Sequence, residues 1–159
     1  MLLTVDSSVI VAGIIKKEES HSICKDLMTK IAKAEHTAAI PYSVLVEVVA
    51  SLKRRTGSEY IAENAEKELK NIDAVQFFEL SKERAEESAT IAIKTGLRGM
   101  DAIVVQVAKE NNATLITIDK VMADLAKGIV AISSAKDVLE NKEDENNSEL
   151  HGNKYKKEM

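Results

Sequence analysis

A chain of 159 residues, 45% hydrophobic and 30% charged, is large enough to pack one core without disulfide staples. Its net charge of −4 excludes a chain-wide basic surface, although local basic clusters can still meet phosphate. One cysteine, Cys24, excludes an internal disulfide, and the 3% aromatic content fits a soluble, helix-rich domain. The apolar N-terminus has no leading basic residues and is broken by Asp6, so it fails as a signal peptide. No run approaches the ~18 apolar residues of a membrane span, and a cytoplasmic protein is expected.

Leu2 to Val5 reads as a short strand ending on Asp6, and Ser7 opens a helix. Glu19 to Ala34 has helical spacing, with Ile23, Leu27, Met28 and Ile31 inward. Thr37 to Ile40 is a second strand, closed by Pro41, the only proline, which suits the first turn of a following helix. That helix, Ser43 to Arg55, turns Leu45, Val48, Val49 and Leu52 to one side, with a polar wedge of Ser43, Glu47 and Ser51. After Gly57, Glu59 to Ile72 is a charged amphipathic helix, Val75 to Leu80 a third strand, and Lys82 to Lys94 a helix running up to Gly96. Met100 to Glu110 is again helical: Asp101 shares a face with Val104, Val105 and Ala108, while Gln106, Lys109 and Glu110 lie opposite. Asn111 and Asn112 end it, and the apolar run Thr114 to Ile118 delivers Asp119. Val121 to Ala126 is a short helix stopped by Gly128, Ile129 to Ile132 a last strand, and Lys136 to Glu140 a final helical turn.

Strands alternating with helices predict an α/β layer fold with a central, mainly parallel sheet flanked by helices. Residues 1–140 make the domain. The tail, residues 141–159, has Leu150 as its one large apolar residue besides the terminal Met159, and its composition predicts disorder.

Four acids stand out. Asp6 and Asp119 end strands, Glu47 lies in a helix wedge, and Asp101 opens a helix on its inward face. Ligands of an open parallel sheet sit outside the carboxyl ends of its strands, where Asp6 and Asp119 would emerge together if their strands are neighbours. Carboxylates without histidine or cysteine suit a hard divalent cation, Mg²⁺ or Mn²⁺. Each acid has a plainer reading as well: Asp6 and Asp119 as helix N-caps, Asp101 as a first-turn acid favoured by the helix dipole, Glu47 as part of a solvated stripe. His21, His36 and His151 are expected at the surface, and Cys24 has no partner for catalysis.

The segments VDSSVIVA, VLVEVVASL, GLRGMDAIVVQVAKE and TLITID, in this order, resemble a PIN domain of the short VapC-type toxins, over about residues 1 to 135. The resemblance implies a three-layer PIN-like fold and a metal-dependent endoribonuclease with the quartet Asp6, Glu47, Asp101 and Asp119. Ser8 and Thr117 would stand behind the metal ligands. RNA would be the substrate, a cognate antitoxin the partner, and the toxin a homodimer. Lys120, Val121 and Met122 lack the aromatic often found after the last acid of this family. Arg98, and Lys53, Arg54 and Arg55 at a helix end, are candidate phosphate contacts; the latter three also suit the helix dipole alone. Three tyrosines and two phenylalanines offer no evident base-stacking platform. Three alternatives stay open. The first is a housekeeping PIN nuclease in RNA processing. The second is a magnesium-dependent phosphatase or phosphotransferase, disfavoured because Ser8 stands where a second Asp is wanted. The third is a binding module whose acids only cap helices.

Overall fold

A computed structural model describes residues 1–140; the tail expected to be disordered lies outside the described residues. In chain order the elements are β1 (Leu2–Val5), α1 (Ser7–Ile14), α2 (His21–Ala32), β2 (Thr37–Pro41), α3 (Tyr42–Thr56) and α4 (Glu59–Lys70). There follow β3 (Val75–Phe78), α5 (Lys82–Thr95), α6 (Gly99–Glu110), β4 (Thr114–Ile116), α7 (Lys120–Ala126) and β5 (Ile132–Ser133), with residues 135–140 helical. The sheet order is β3-β2-β1-β4-β5, and every pairing among these strands is parallel.

Consecutive residues in the central strands are buried: Leu3, Thr4 and Val5 in β1, Ala38, Ala39 and Ile40 in β2, Leu115 and Ile116 in β4. Successive side chains of a strand point to opposite faces, so both faces of the sheet are covered and the fold has three layers. This is why the strands read as apolar runs rather than as alternating patterns. The chain moves from β1 through β2 to β3 on one side, then crosses to β4 on the other side of β1. The switch point between β1 and β4 opens the crevice that such sheets use for ligands.

Local chemistry sets the helix ends that matter to that crevice. Gly96 closes α5 at φ +76°, a left-handed conformation that glycine adopts without a Cβ penalty. The buried Leu97 then anchors the short link to α6. Gly13 meets α2 closely; a Cβ there would stand 3.3 Å from the backbone of Cys24 and Lys25.

Several boundaries and faces differ from expectation. Strand β4 stops at Ile116 because the next backbone donors are taken by side chains: Ile118 N–H by Ser8 Oγ at 3.4 Å and Asp119 N–H by Thr117 Oγ1 at 3.0 Å. The last strand begins at Ile132, since Ile129 and Val130 donate back to the Ala126 carbonyl and finish the α7 turn. Gln106, expected in solvent, is 5% exposed, because α6 packs on α5 as well as on the sheet; its Nε2 donates to Glu110 at 2.9 Å. His36 is buried rather than superficial, with Nδ1 3.5 Å from the N-terminal amine. His21 is partly buried and bonded to the Ala12 carbonyl at 2.9 Å, and His151 lies outside the described residues. Cys24 is fully buried, and burial pushes its thiol pKa up, which leaves it an inert core residue.

Candidate active site

The crevice is built first around Asp6. Its N–H donates to the Ile116 carbonyl at 3.0 Å, tying it to β4 just beyond the Val5–Ile116 register pair. Its side chain caps α1, and the residue is only 4% exposed. Oδ2 accepts from Ser8 N at 3.3 Å, Ser8 Oγ at 2.5 Å and Thr117 Oγ1 at 3.1 Å. Oδ1 has no hydrogen bond among the described residues, so one oxygen is held and the other is left available.

Asp119 repeats this division. Its Oδ1 caps α7, accepting from Val121 N at 2.9 Å and Met122 N at 3.0 Å. Its Oδ2 instead takes Arg98 Nη2 at 2.8 Å. The same guanidinium donates through Nε to Asp101 Oδ2 at 3.1 Å. Arg98 therefore bridges a strand-end acid and a helix-start acid, while Asp101 itself is only 16% exposed.

Glu47 comes to the crevice from α3, half-buried on its polar wedge. Burial is the main cause that raises its carboxyl pKa, followed by the negative charge of Asp6; the nearby Ser7 side chain works the other way, and Asp101 raises it further. Asp101 is raised too, first by burial, against which Arg98 pulls it down, with Asp6 and Asp119 adding repulsion. Asp101 thus feels Asp6 and Asp119, and Glu47 feels Asp6 and Asp101. The four expected residues are brought into one electrostatic neighbourhood. Ser7, beside Glu47, escaped the sequence reading; its one signal was the Ser-Ser pair directly after the strand-end acid.

Among the described residues, no three His, Cys, Asp or Glu side chains are already gathered as a metal-ligand set. Arg98 stands between Asp101 and Asp119, and Asp6 and Asp119 each spend one oxygen on a cap. The donor chemistry nevertheless fits a hard divalent cation. Four carboxylates share one guanidinium, Asp6 and Asp101 each keep an oxygen without a hydrogen bond among the described residues, and a buried negative charge is costly without a counter-charge. Capping and ligation are compatible here, because each uses a different oxygen.

A pH dependence follows. Glu47 and Asp101 have folded-state pKa values above their unfolded ones, so the native state binds more protons. Their contribution to stability is full below the unfolded carboxylate range and is lost as pH rises through the raised values. Glu110, lowered chiefly by the Arg84 hydrogen bond, works in the opposite direction. The clean measurement is therefore a difference: in chelator, Glu47→Gln should lose less stability than the parent between acidic and neutral pH. Identical slopes would show that Glu47 is not under charge stress.

Lys53, Arg54 and Arg55 are not brought to this crevice. Helix α3 leaves the carboxyl edge at Tyr42, and these residues lie roughly 9–12 Å further along its axis than Glu47, at ~1.5 Å per residue. Lys53 Nζ donates to the Gly57 carbonyl at 3.0 Å, and Arg55 pairs with Glu18. Nearer the edge, Tyr42 stacks on Phe77 with ring centroids 5.1 Å apart and 24° between planes, an aromatic pair that composition did not suggest. Pairing of β2 with β3 in parallel register is what joins these two distant rings.

An all-parallel, three-layer α/β domain with carboxylates collected at its switch point defines an acidic-cleft class of protein. The PIN domain family profile matches residues 3–128, and the chain belongs to that family. No curated protein sequence matches it. Among solved structures, it is similar to the sarcin–ricin-loop-cleaving toxin VapC20 of Mycobacterium tuberculosis, with a TM-score of 0.67 and 18% identity over 82% of this chain and 97% of that one. It is also similar to PAE2754 of Pyrobaculum aerophilum, at TM-score 0.60 and 21% identity over 89% and 97% of the two chains. VapBC2 of Rickettsia felis, solved on a promoter DNA fragment, gives TM-score 0.59 and 18% identity over 84% and 98%. At these identities the likeness is one of fold.

Proposed function

We propose that this protein is a metal-dependent endoribonuclease and the toxin of a type II toxin–antitoxin pair. The observation that carries this reading is the convergence of Asp6, Glu47, Asp101 and Asp119 at the β1–β4 switch point of a PIN domain. Asp6 is oriented by Ser8 and Thr117, Asp119 by two backbone N–H groups of α7, and Asp101 by its place in the first turn of α6. Residues locked in this way hold a reacting group in place without reorganisation. Bound among these acids, Mg²⁺ or Mn²⁺ would polarise a phosphoryl oxygen and lower the pKa of a water.

The partner half of the reading is supported by the neighbours in fold, which include VapBC and FitAB complexes. An apolar cleft of about 530 Å³ between α1, α2 and α4, lined by Ile10, Ile14, Met28, Leu69 and Ile72, offers an antitoxin a surface apart from the acids. For the homodimer, α3 leaves Tyr42 and Val46, one turn apart, 49% and 61% exposed. Among the described residues no helix is long and apolar enough to cross a membrane.

The test is direct. Purified protein should cut RNA with Mg²⁺ or Mn²⁺ and stop in chelator, and its expression alone should slow growth until the neighbouring antitoxin gene is co-expressed. Metal-dependent cleavage with no effect on growth would point to an RNA-processing nuclease. RNA left intact under all these conditions would overturn the nuclease reading and favour the rival readings, a binding module first among them.

A further inference from the structure

We propose that Arg98 is a resident counter-ion that exchanges partners: it bridges Asp101 and Asp119, and it turns to a phosphate of the RNA when those carboxylates take a divalent ion. The inference rests on the nuclease reading above.

Two arginines of this chain show the contrast that supports it. Arg84 places Nε and Nη2 on both oxygens of a single carboxylate, Glu110, at 2.8 and 2.9 Å. It also donates Nη1 to the Glu79 carbonyl at 3.0 Å and lies 5.1 Å from the centroid of the Phe78 ring. With its side chain 21% exposed, Arg84 is a fixed structural cation. Arg98 is held quite differently. Its side chain is 74% exposed, it gives one N–H to each of two carboxylates on separate elements, and no ring or carbonyl pins it among the described residues. Exposed ion pairs of this kind contribute little and are readily given up.

The position is fixed even though the guanidinium is not. Leu97 is buried, Gly96 sets the turn, and Arg98 is the N-cap residue of α6, two positions before Met100 and three before Asp101. A displaced guanidinium therefore stays tethered at the rim. It covers Oδ2 of Asp119, the oxygen that the α7 cap leaves over, and Oδ2 of Asp101, so a divalent ion held by these two carboxylates would compete with the guanidinium. Once released, the planar fork matches a phosphate, and it answers a real need, because four carboxylates repel an incoming polyanion. Arg98 is in this sense a substrate-positioning residue, whose charge is used first to neutralise Asp101 and Asp119 and then to receive the substrate.

Two measurements on the full chain test the exchange. The first is calorimetric titration with Mn²⁺ alone. Arg98→Ala should bind Mn²⁺ roughly 5- to 10-fold more tightly than the parent, since its competitor is gone. The second is binding of a single-stranded phosphorothioate oligoribonucleotide in saturating Mn²⁺. There Arg98→Ala should bind more weakly, with a salt slope shallower by about 1. Arg98→Lys, which keeps the charge without the fork, should fall between the two proteins in both measurements, and it covers the case in which Arg98→Ala folds poorly. Unchanged or weaker Mn²⁺ affinity in Arg98→Ala overturns the displacement, and an unchanged salt slope overturns the phosphate contact. A parent protein that neither takes up Mn²⁺ nor cuts RNA overturns the nuclease reading itself. A parent that does both, while Arg98→Ala behaves identically, overturns the exchange alone.

Discussion

Asp101→Asn should make the metal-free protein more stable at neutral pH and should nearly abolish its nuclease activity. Burial is the largest influence on the Asp101 carboxyl and raises its pKa, and the Arg98 charge only partly offsets this. Replacing a stressed carboxylate with its neutral isostere removes the burial penalty and the repulsion from Asp6 and Asp119. It also removes the Arg98 ion pair, but that pair ends in a largely exposed guanidinium and its loss should cost ~0.2–1 kcal/mol. With solvent screening taken into account, the net gain should be no more than about 1 kcal/mol. On the proposed reading Asp101 would hold the metal, and asparagine would offer one neutral oxygen in place of a charged one, so activity should fall by more than the ~10–100-fold typical of losing a ligand's supporting partner. Stabilisation by Mg²⁺ or Mn²⁺ should shrink in the same variant, because ligand-linked stability follows affinity. Chemical denaturation in chelator, then with added Mn²⁺, reads all of this. If Asp101 were only a first-turn acid, Asn would lower stability by a few tenths to ~1 kcal/mol. The sign of the change separates the two cases.

A substitution in the core should do the reverse. Leu115→Ala is expected to destabilise the protein by ~2–5 kcal/mol, the range for emptying a packed leucine site. Leu115 is fully buried at the middle of β4, paired in register with Thr4 of β1 on one side and Ile132 of β5 on the other. The strand also carries the chain to Thr117 and Asp119, and the variant should lose nuclease activity at temperatures where the parent keeps it. Urea denaturation gives the first quantity and activity against temperature the second. A loss under ~1 kcal/mol would mean that β4 is not packed as described.

The sequence by itself determined what depends on near neighbours in the chain. Helical and strand periods place Asp6 after a strand, Asp101 in a first turn and Asp119 before a helix, and those assignments hold to within a few residues. The capping roles of Asp6 and Asp119 are local as well, since both are made to N–H groups two or three residues ahead. Only the tertiary structure decided strand order, because nothing local states that β4 lies beside β1 rather than beyond β3. That order makes Asp6 and Asp119 neighbours and lets Thr117 reach Asp6 across 111 positions of sequence. It decided burial on the third side of α6 too: a single helix shows one apolar face, but α5 and the sheet together cover Gln106. Arg98 is the sharpest case. Beside Asp101 in the sequence it reads as a candidate phosphate contact, and only the tertiary structure shows it paired with both Asp101 and Asp119, because a buried negative charge draws a cation within reach.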